Sequence, residues 1–205
     1  MILLAALIFI TNERAGSVSV IDSTTDRIVK TIAVGTRTQA YISNEDARTA
    51  SIVDTARGKT LAALVVGTEP EGLGASHNGH WAYVTGETSN TVSVIDARVN
   101  RVTSNIMVDA RPRGVLFSRD DSRAYITCEV GGAVDAIDTK TQRVVARLKL
   151  RAVDHPVGPV MSPDGKLLYA GTGRGNAVAV IDTATMRVVN TIKAGDGPWG
   201  VAVKP

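Results

Sequence analysis

The sequence predicts an all-β chain, a β-propeller of about five four-stranded blades, and three observations carry that prediction. An alternating strand that closes in aspartate occurs five times, as Ser17-Val-Ser-Val-Ile-Asp22, Ala50-Ser-Ile-Val-Asp54, Val92-Ser-Val-Ile-Asp96, Val134-Asp-Ala-Ile-Asp138 and Val178-Ala-Val-Ile-Asp182, with the aspartates 32, 42, 42 and 44 residues apart. Phe9, Tyr41, Tyr83, Tyr125 and Tyr169 each stand 13 residues before their aspartate, so a hairpin of constant length lies inside every repeat. No segment shows a helical period, and a short period-2 strand pattern repeated at this interval is the pattern of propeller blades.

Composition agrees. The 205 residues are 44% hydrophobic but only 4% aromatic, so the core must be aliphatic, built from the Val, Ile and Thr that suit a pleated surface. Lys+Arg 23 against Asp+Glu 20 leaves a formal charge of +3. Many of the basic residues fall at one repeat position (Arg27, Arg101, Arg143, Arg187), where charge on an outer edge strand blocks sheet-to-sheet aggregation. Nucleic-acid binding needs basic residues interleaved with stacking aromatics, and here the aromatics sit inside strands. The single cysteine, Cys128, excludes an internal disulfide and a cysteine metal cluster. The apolar run Met1–Ile10 is too short to span a bilayer and has no basic residue before it. Residues 1–6 read as the remnant or replacement of a leader, and the whole of 1–205 as one domain.

The remaining strands follow in order. After each aspartate comes a polar turn and a fourth, outer strand such as Arg187-Val-Val-Asn-Thr-Ile-Lys193. Tyr83, Tyr125 and Tyr169 are each preceded by an inner strand that starts at Pro-x-Gly, Pro70-Glu-Gly72, Pro112-Arg-Gly114 and Pro156-Val-Gly158, and a fourth such start is Pro198-Trp-Gly200. The turn between inner and second strands is Ser76-His-Asn-Gly79, Ser118-Arg-Asp-Asp121 or Ser162-Pro-Asp-Gly165, residue types that supply the backbone angles of tight hairpins. Between Gly35 and Tyr41 there is no room for an inner strand, so the second blade is predicted to have three strands. The last inner strand, Trp199 to Lys204, has no blade of its own and is predicted to close the ring against the first blade.

The Tyr-Ile-Ser-Asn, Tyr-Val-Thr-Gly, Val-Ser-Val-Ile-Asp and Ser-Pro-Asp-Gly elements resemble the YVTN-type β-propeller repeat proteins. Glu69 to Gly79, Val108 to Arg113, Glu129 to Gly132 and Gly197 to Pro205 resemble the branch of that family associated with pyrroloquinoline quinone (PQQ)-dependent catabolism. The resemblance implies a periplasmic, accessory role: binding or scaffolding beside a quinoprotein dehydrogenase system that oxidises alcohols. It supplies no catalytic set and no resident cofactor.

Binding residues favour the loops at the end of the blades where Pro-x-Gly begins. There the residue between Pro and Gly keeps its frame while its side chain changes: Glu71, Arg113, Val157, Trp199. Arg113 suits a carboxylate and Trp199 a planar ligand such as a quinone, or Trp199 seals the blade closure. Glu13, Glu45, Glu87 and Glu129 share one repeat position, either as an acidic collar or as turn carboxylates that accept backbone hydrogen bonds. His155 lies beside Asp154 in the longest inter-blade loop of that face, with no nucleophile tied to it. His77 and His80 fall on the opposite face and read as a solvated turn. Gly171-Thr-Gly-Arg-Gly175 leads into a strand and not a helix, so it is a hairpin turn and not a phosphate loop. The function expected is a non-catalytic propeller that binds a partner protein or small ligand. The alternative is a propeller enzyme of the lactonase or quinohaem-linked type, and a third reading is a truncated chain that folds only against another copy.

Overall fold

The computed structural model describes residues 7–12, 17–22, 25, 27–33, 39–55 and 57–203. Among the described residues, eighteen strands and one short 3₁₀ turn, Gly173–Gly175, account for the regular structure. The first sheet holds β1 (Leu7–Asn12), β2 (Ser17–Asp22) and β3 (Arg27–Ala33), and the second holds β4 (Gln39–Asn44), β5 (Thr49–Asp54) and β6 (Lys59–Val65). Three four-stranded sheets follow: β7 (Pro70–Ala75) to β10 (Arg101–Met107), with β8 (Trp81–Gly86) and β9 (Thr91–Asp96) between them; β11 (Pro112–Phe117), β12 (Arg123–Cys128), β13 (Ala133–Asp138) and β14 (Arg143–Lys149); and β15 (Val157–Met161), β16 (Leu167–Gly171), β17 (Ala177–Asp182) and β18 (Arg187–Lys193). Each sheet is paired in sequence order, the blade pattern of a propeller.

The constant hairpin spacing appears as constant register. Phe9 faces Val20, Tyr83 faces Val94, Tyr125 faces Ala136 and Tyr169 faces Val180. The repeated aspartate caps the turn into the outer strand. Asp54 accepts from the N–H of Arg57, Asp96 from Arg98, Asp138 from Thr141 and Asp182 from Thr185. A carboxylate suits the position because its two oxygens take several donors at once. At Asp96 the hydrogen bond from the Arg98 guanidinium lowers the carboxyl to about 2.

Among the described residues the second sheet has three strands and no inner one, as the short spacing predicts. The predicted closing strand is a correction: residues 199–203 carry no strand, and the first sheet has three strands. Pro198 and Trp199 instead lie along the last blade. The N–H of Gly173 donates to the Pro198 carbonyl at 3.1 Å. The leader reading, on residues 1–6, and Glu13 lie outside the described residues.

By compactness the chain divides into two units, Met1–Tyr41 with Ile52–Ala62, and Ile42–Ser51 with Ala63–Pro205. The second contains the three four-stranded blades, and its core lies between them. Tyr83, Val92, Val94 and Ile106 of one blade pack against Phe117, Ala124, Ile126 and Ile137 of the next, with the Tyr83 and Phe117 rings edge to face at 4.8 Å. Tyr125, Val134 and Ala136 in turn meet Leu168, Ala179 and Ile181. Cys128 is sealed in the first of these layers, where burial pushes its thiol pKa up and leaves it inert.

Candidate functional site

The three inner strands approach one another closely because glycine follows the variable residue. A Cβ on Gly72 would collide with the carbonyl of Arg113, and one on Gly158 would stand 2.6 Å from the carbonyl of Trp199. The same relation therefore brings Arg113 beside Glu71 and Trp199 beside Val157. Proline fixes the chain just before each glycine, and the inner strand's register shifts there, as expected where a ladder donor is missing.

Arg113 is the centre of what results. Its Nη1 pairs with Glu71 and lies 3.2 Å from Glu87 Oε2, while its Nε donates to Glu129 Oε2 at 2.7 Å. The Arg113 side chain is 15% exposed. The Trp199 ring covers its guanidinium, with the guanidinium carbon 5.4 Å from the ring centroid, and Trp199 itself is 57% exposed. Arg111, in the turn just before the strand, pairs with Glu87 and stands 3.5 Å from Glu129. His155 Nδ1 lies 3.9 Å from Glu129 Oε1 and is buried without a hydrogen-bond partner.

All six residues singled out in the sequence, Glu71, Glu87, Arg113, Glu129, His155 and Trp199, thus lie in one cluster. Two expectations about them change. Arg113 is saturated by the chain's own carboxylates and is not held open for a ligand's. Glu87 and Glu129 direct their carboxylates to guanidinium groups and not to turn amides, while Glu45 at the same repeat position is exposed. Sequence reading missed Arg111, although Glu69-Pro-Glu71 facing Arg111-Pro-Arg113 is a legible signal of complementary charge one blade apart. Glu69 contributes to the rim by accepting from Thr88 Oγ1.

Two of the three carboxyls around Arg113, those of Glu71 and Glu87, behave oppositely. Burial and a hydrogen bond with Glu87 raise Glu71 above the ordinary glutamate range, against the pull of Arg113. Burial opposes ionisation at Glu87 too, but hydrogen bonds with Glu71 and Arg111 and the charge of Arg113 bring it lower. Of the two, Glu71 is the carboxyl whose protonated form the surroundings favour.

Elsewhere Asp154 takes a forked ion pair from Arg151, so it does not orient His155. On the opposite face, His77 is not simply solvated: its Nδ1 lies 2.8 Å from Asp121 Oδ1, across the boundary between two blades. Among the described residues no group of three metal-ligating side chains is placed to hold an ion. No helix among them is long and apolar enough to cross a membrane.

These blades, their order and their packing define a β-propeller protein. Solved structures agree. Hydrazine synthase of Kuenenia stuttgartiensis is 31% identical with a TM-score of 0.71, over 75% of this chain and 45% of that one. A streptogramin B lyase is 17% identical with a TM-score of 0.66, over 92% of this chain and 65% of that one. A virginiamycin B lyase from Staphylococcus aureus is 16% identical with a TM-score of 0.65, over 92% and 67%. The two lyases share the fold alone, and the chain spans less than half of the hydrazine synthase chain. Neither a family model nor a curated protein matches the sequence.

Proposed function

We propose that this chain is a non-catalytic propeller that binds a partner through its Pro-x-Gly face, as an accessory of periplasmic alcohol oxidation by a quinoprotein dehydrogenase. The observation that carries the reading is the Arg113 cluster. Its charges are spent on one another, which makes a rigid platform, and the group it presents to solvent is the Trp199 ring. A flat aromatic surface rimmed by Arg111 and Glu71 suits an interface anchor or a planar ligand. The family resemblance supports the dehydrogenase system and the compartment. Binding to a purified quinoprotein alcohol dehydrogenase, followed by interferometry, tests this: Trp199→Ala is expected to weaken it by about tenfold or more. Equal binding by the variant contradicts the assignment. Recovery of the natural protein in a periplasmic fraction tests the compartment.

A second reading, an enzyme, has one observation in its favour. The raised carboxyl of Glu71 and the unpartnered Nδ1 of His155 belong to the same cluster and are acid–base equipment. Two proteins of this fold are named as lyases. Assays against sugar lactones and streptogramin B are expected to show no turnover above buffer. Turnover that disappears in Glu71→Gln would establish the enzyme instead.

A further inference from the structure

The hairpin turns on the face opposite Pro-x-Gly repeat from blade to blade, and one of them lacks a group that its neighbour supplies. Between the third and fourth blades, Asp121 reaches back to the preceding turn. Its Oδ1 accepts from the N–H of His77 at 2.8 Å and contacts His77 Nδ1 at 2.8 Å, and its Oδ2 accepts from the N–H of Asn78 at 2.8 Å. Asp121 adopts a left-handed φ of 57° to do so. The counterparts one blade later are Arg119 for His77, Asp120 for Asn78 and Gly165 for Asp121.

The frame there is the same. Gly165 has a φ of 75°, and its carbonyl accepts from Thr183 Oγ1 at 3.0 Å just as that of Asp121 accepts from Thr139 Oγ1 at 2.6 Å. Only the carboxymethyl group is gone. In its place is a cavity of about 390 Å³ lined by Arg119, Asp120, Arg123, Tyr125 and Gly165 among others. Among the described residues no acceptor takes the N–H of Arg119, and the Arg119 guanidinium has a single long bond, 3.4 Å, to the Ser162 carbonyl. Arg123 likewise reaches Asp138 only at 3.4 Å.

We propose that this cavity binds the carboxylate of a small organic acid in the position that Asp121 occupies one blade earlier. One carboxylate oxygen takes the N–H of Arg119, and the guanidinium of Arg119 closes on the other as a charge-assisted pair. Arg123 and the Tyr125 wall meet the remainder of the ligand. Asp120 and Asp164 also line the cavity, and hydrogen bonds from Ser118 and Ser162 keep both ionised. Their charge selects a monoanion over a dianion such as phosphate.

The repeat also supplies the test. Gly165→Asp restores the missing carboxylate. A Cβ there stands 3.5 Å from Arg119 Cδ, an ordinary contact, and aspartate tolerates the left-handed backbone. Amide spectra of the labelled protein titrated with benzoate are expected to show saturable shifts at Arg119 and Asp120. The apparent affinity should fall about tenfold or more in both Gly165→Asp and Arg119→Gln. Inorganic phosphate should give no saturable shift. Gly165→Asp should also raise the melting temperature, which shows that the variant folds and that its side chain has found the site. Benzoate shifts that do not saturate, benzoate binding unchanged in the stabilised Gly165→Asp variant, or phosphate binding as tightly as benzoate would each overturn the proposal.

Discussion

Arg113 decides more at the residue scale than any other side chain. Its removal takes the nearest counter-charge from the largely buried Glu129 and leaves Glu87 with Arg111 alone, so Arg113→Ala is expected to cost about 2–4 kcal/mol in a urea titration. The single arginine opens onto three carboxylates, so Arg113→Lys, which keeps charge but loses the fork, should recover only part of that loss. Asp121 gives the pH dependence. Burial alone would raise its carboxyl, but hydrogen bonds from the His77 ring and from the N–H groups of His77 and Asn78 hold it below the ordinary range. A depressed carboxyl stabilises the fold at pH values above its unfolded value of about 3.9 and loses that contribution as pH falls through the folded value. Asp121→Asn should therefore be less stable than the natural protein at pH 6, with the difference shrinking below about pH 4. Equal stability of the two proteins at pH 6 would contradict the clamp. The charge at Glu71 and Arg113 was legible because the repeat frame isolates a position that varies, and that at Glu129 because the frame repeats the glutamate. The His77–Asp121 pair was not, because its partners lie 44 residues apart and their contact depends on the left-handed turn at Asp121.

The inner strand is the element on which the site depends. Its glycine lets neighbouring blades touch backbone to backbone, and that contact sets where the residue before it points. Gly72→Ala places a methyl against the carbonyl of Arg113, backbone that cannot rotate away, and should cost about 3 kcal/mol. Gly195→Ala, with nothing near its Cβ and no left-handed backbone, should change stability by less than about 0.5 kcal/mol. A Gly72→Ala variant as stable as Gly195→Ala would contradict the close approach. The strands were legible from alternation and from the fixed distance between aromatic and aspartate. The Trp199 segment was misjudged because its pattern, Trp-Gly-Val-Ala-Val, is that of an inner strand. Pattern reports which face of a strand is apolar but not whether a hydrogen-bonding partner is in reach.

On the scale of the whole molecule, one repeat has been reused with local exchanges, and those exchanges account for most of its chemistry. Serine at position 93 receives the N–H of Gly67, and aspartate at the same repeat position, Asp135, receives that of Asp109 while also pairing with Arg147. Glycine replaces aspartate at 165 and opens a cavity. Glutamate, arginine, valine and tryptophan succeed one another along the Pro-x-Gly face. The repeat made the fold and the blade count readable; ligand and partner depend on exchanges whose effects need three dimensions. The two faces are separate sites in this account, and one comparison tests that most directly. Binding to a quinoprotein alcohol dehydrogenase should be lost in Trp199→Ala and retained in Gly165→Asp, with both variants folded by circular dichroism. Binding kept by Trp199→Ala and lost by Gly165→Asp would place the partner on the opposite face and contradict the central claim.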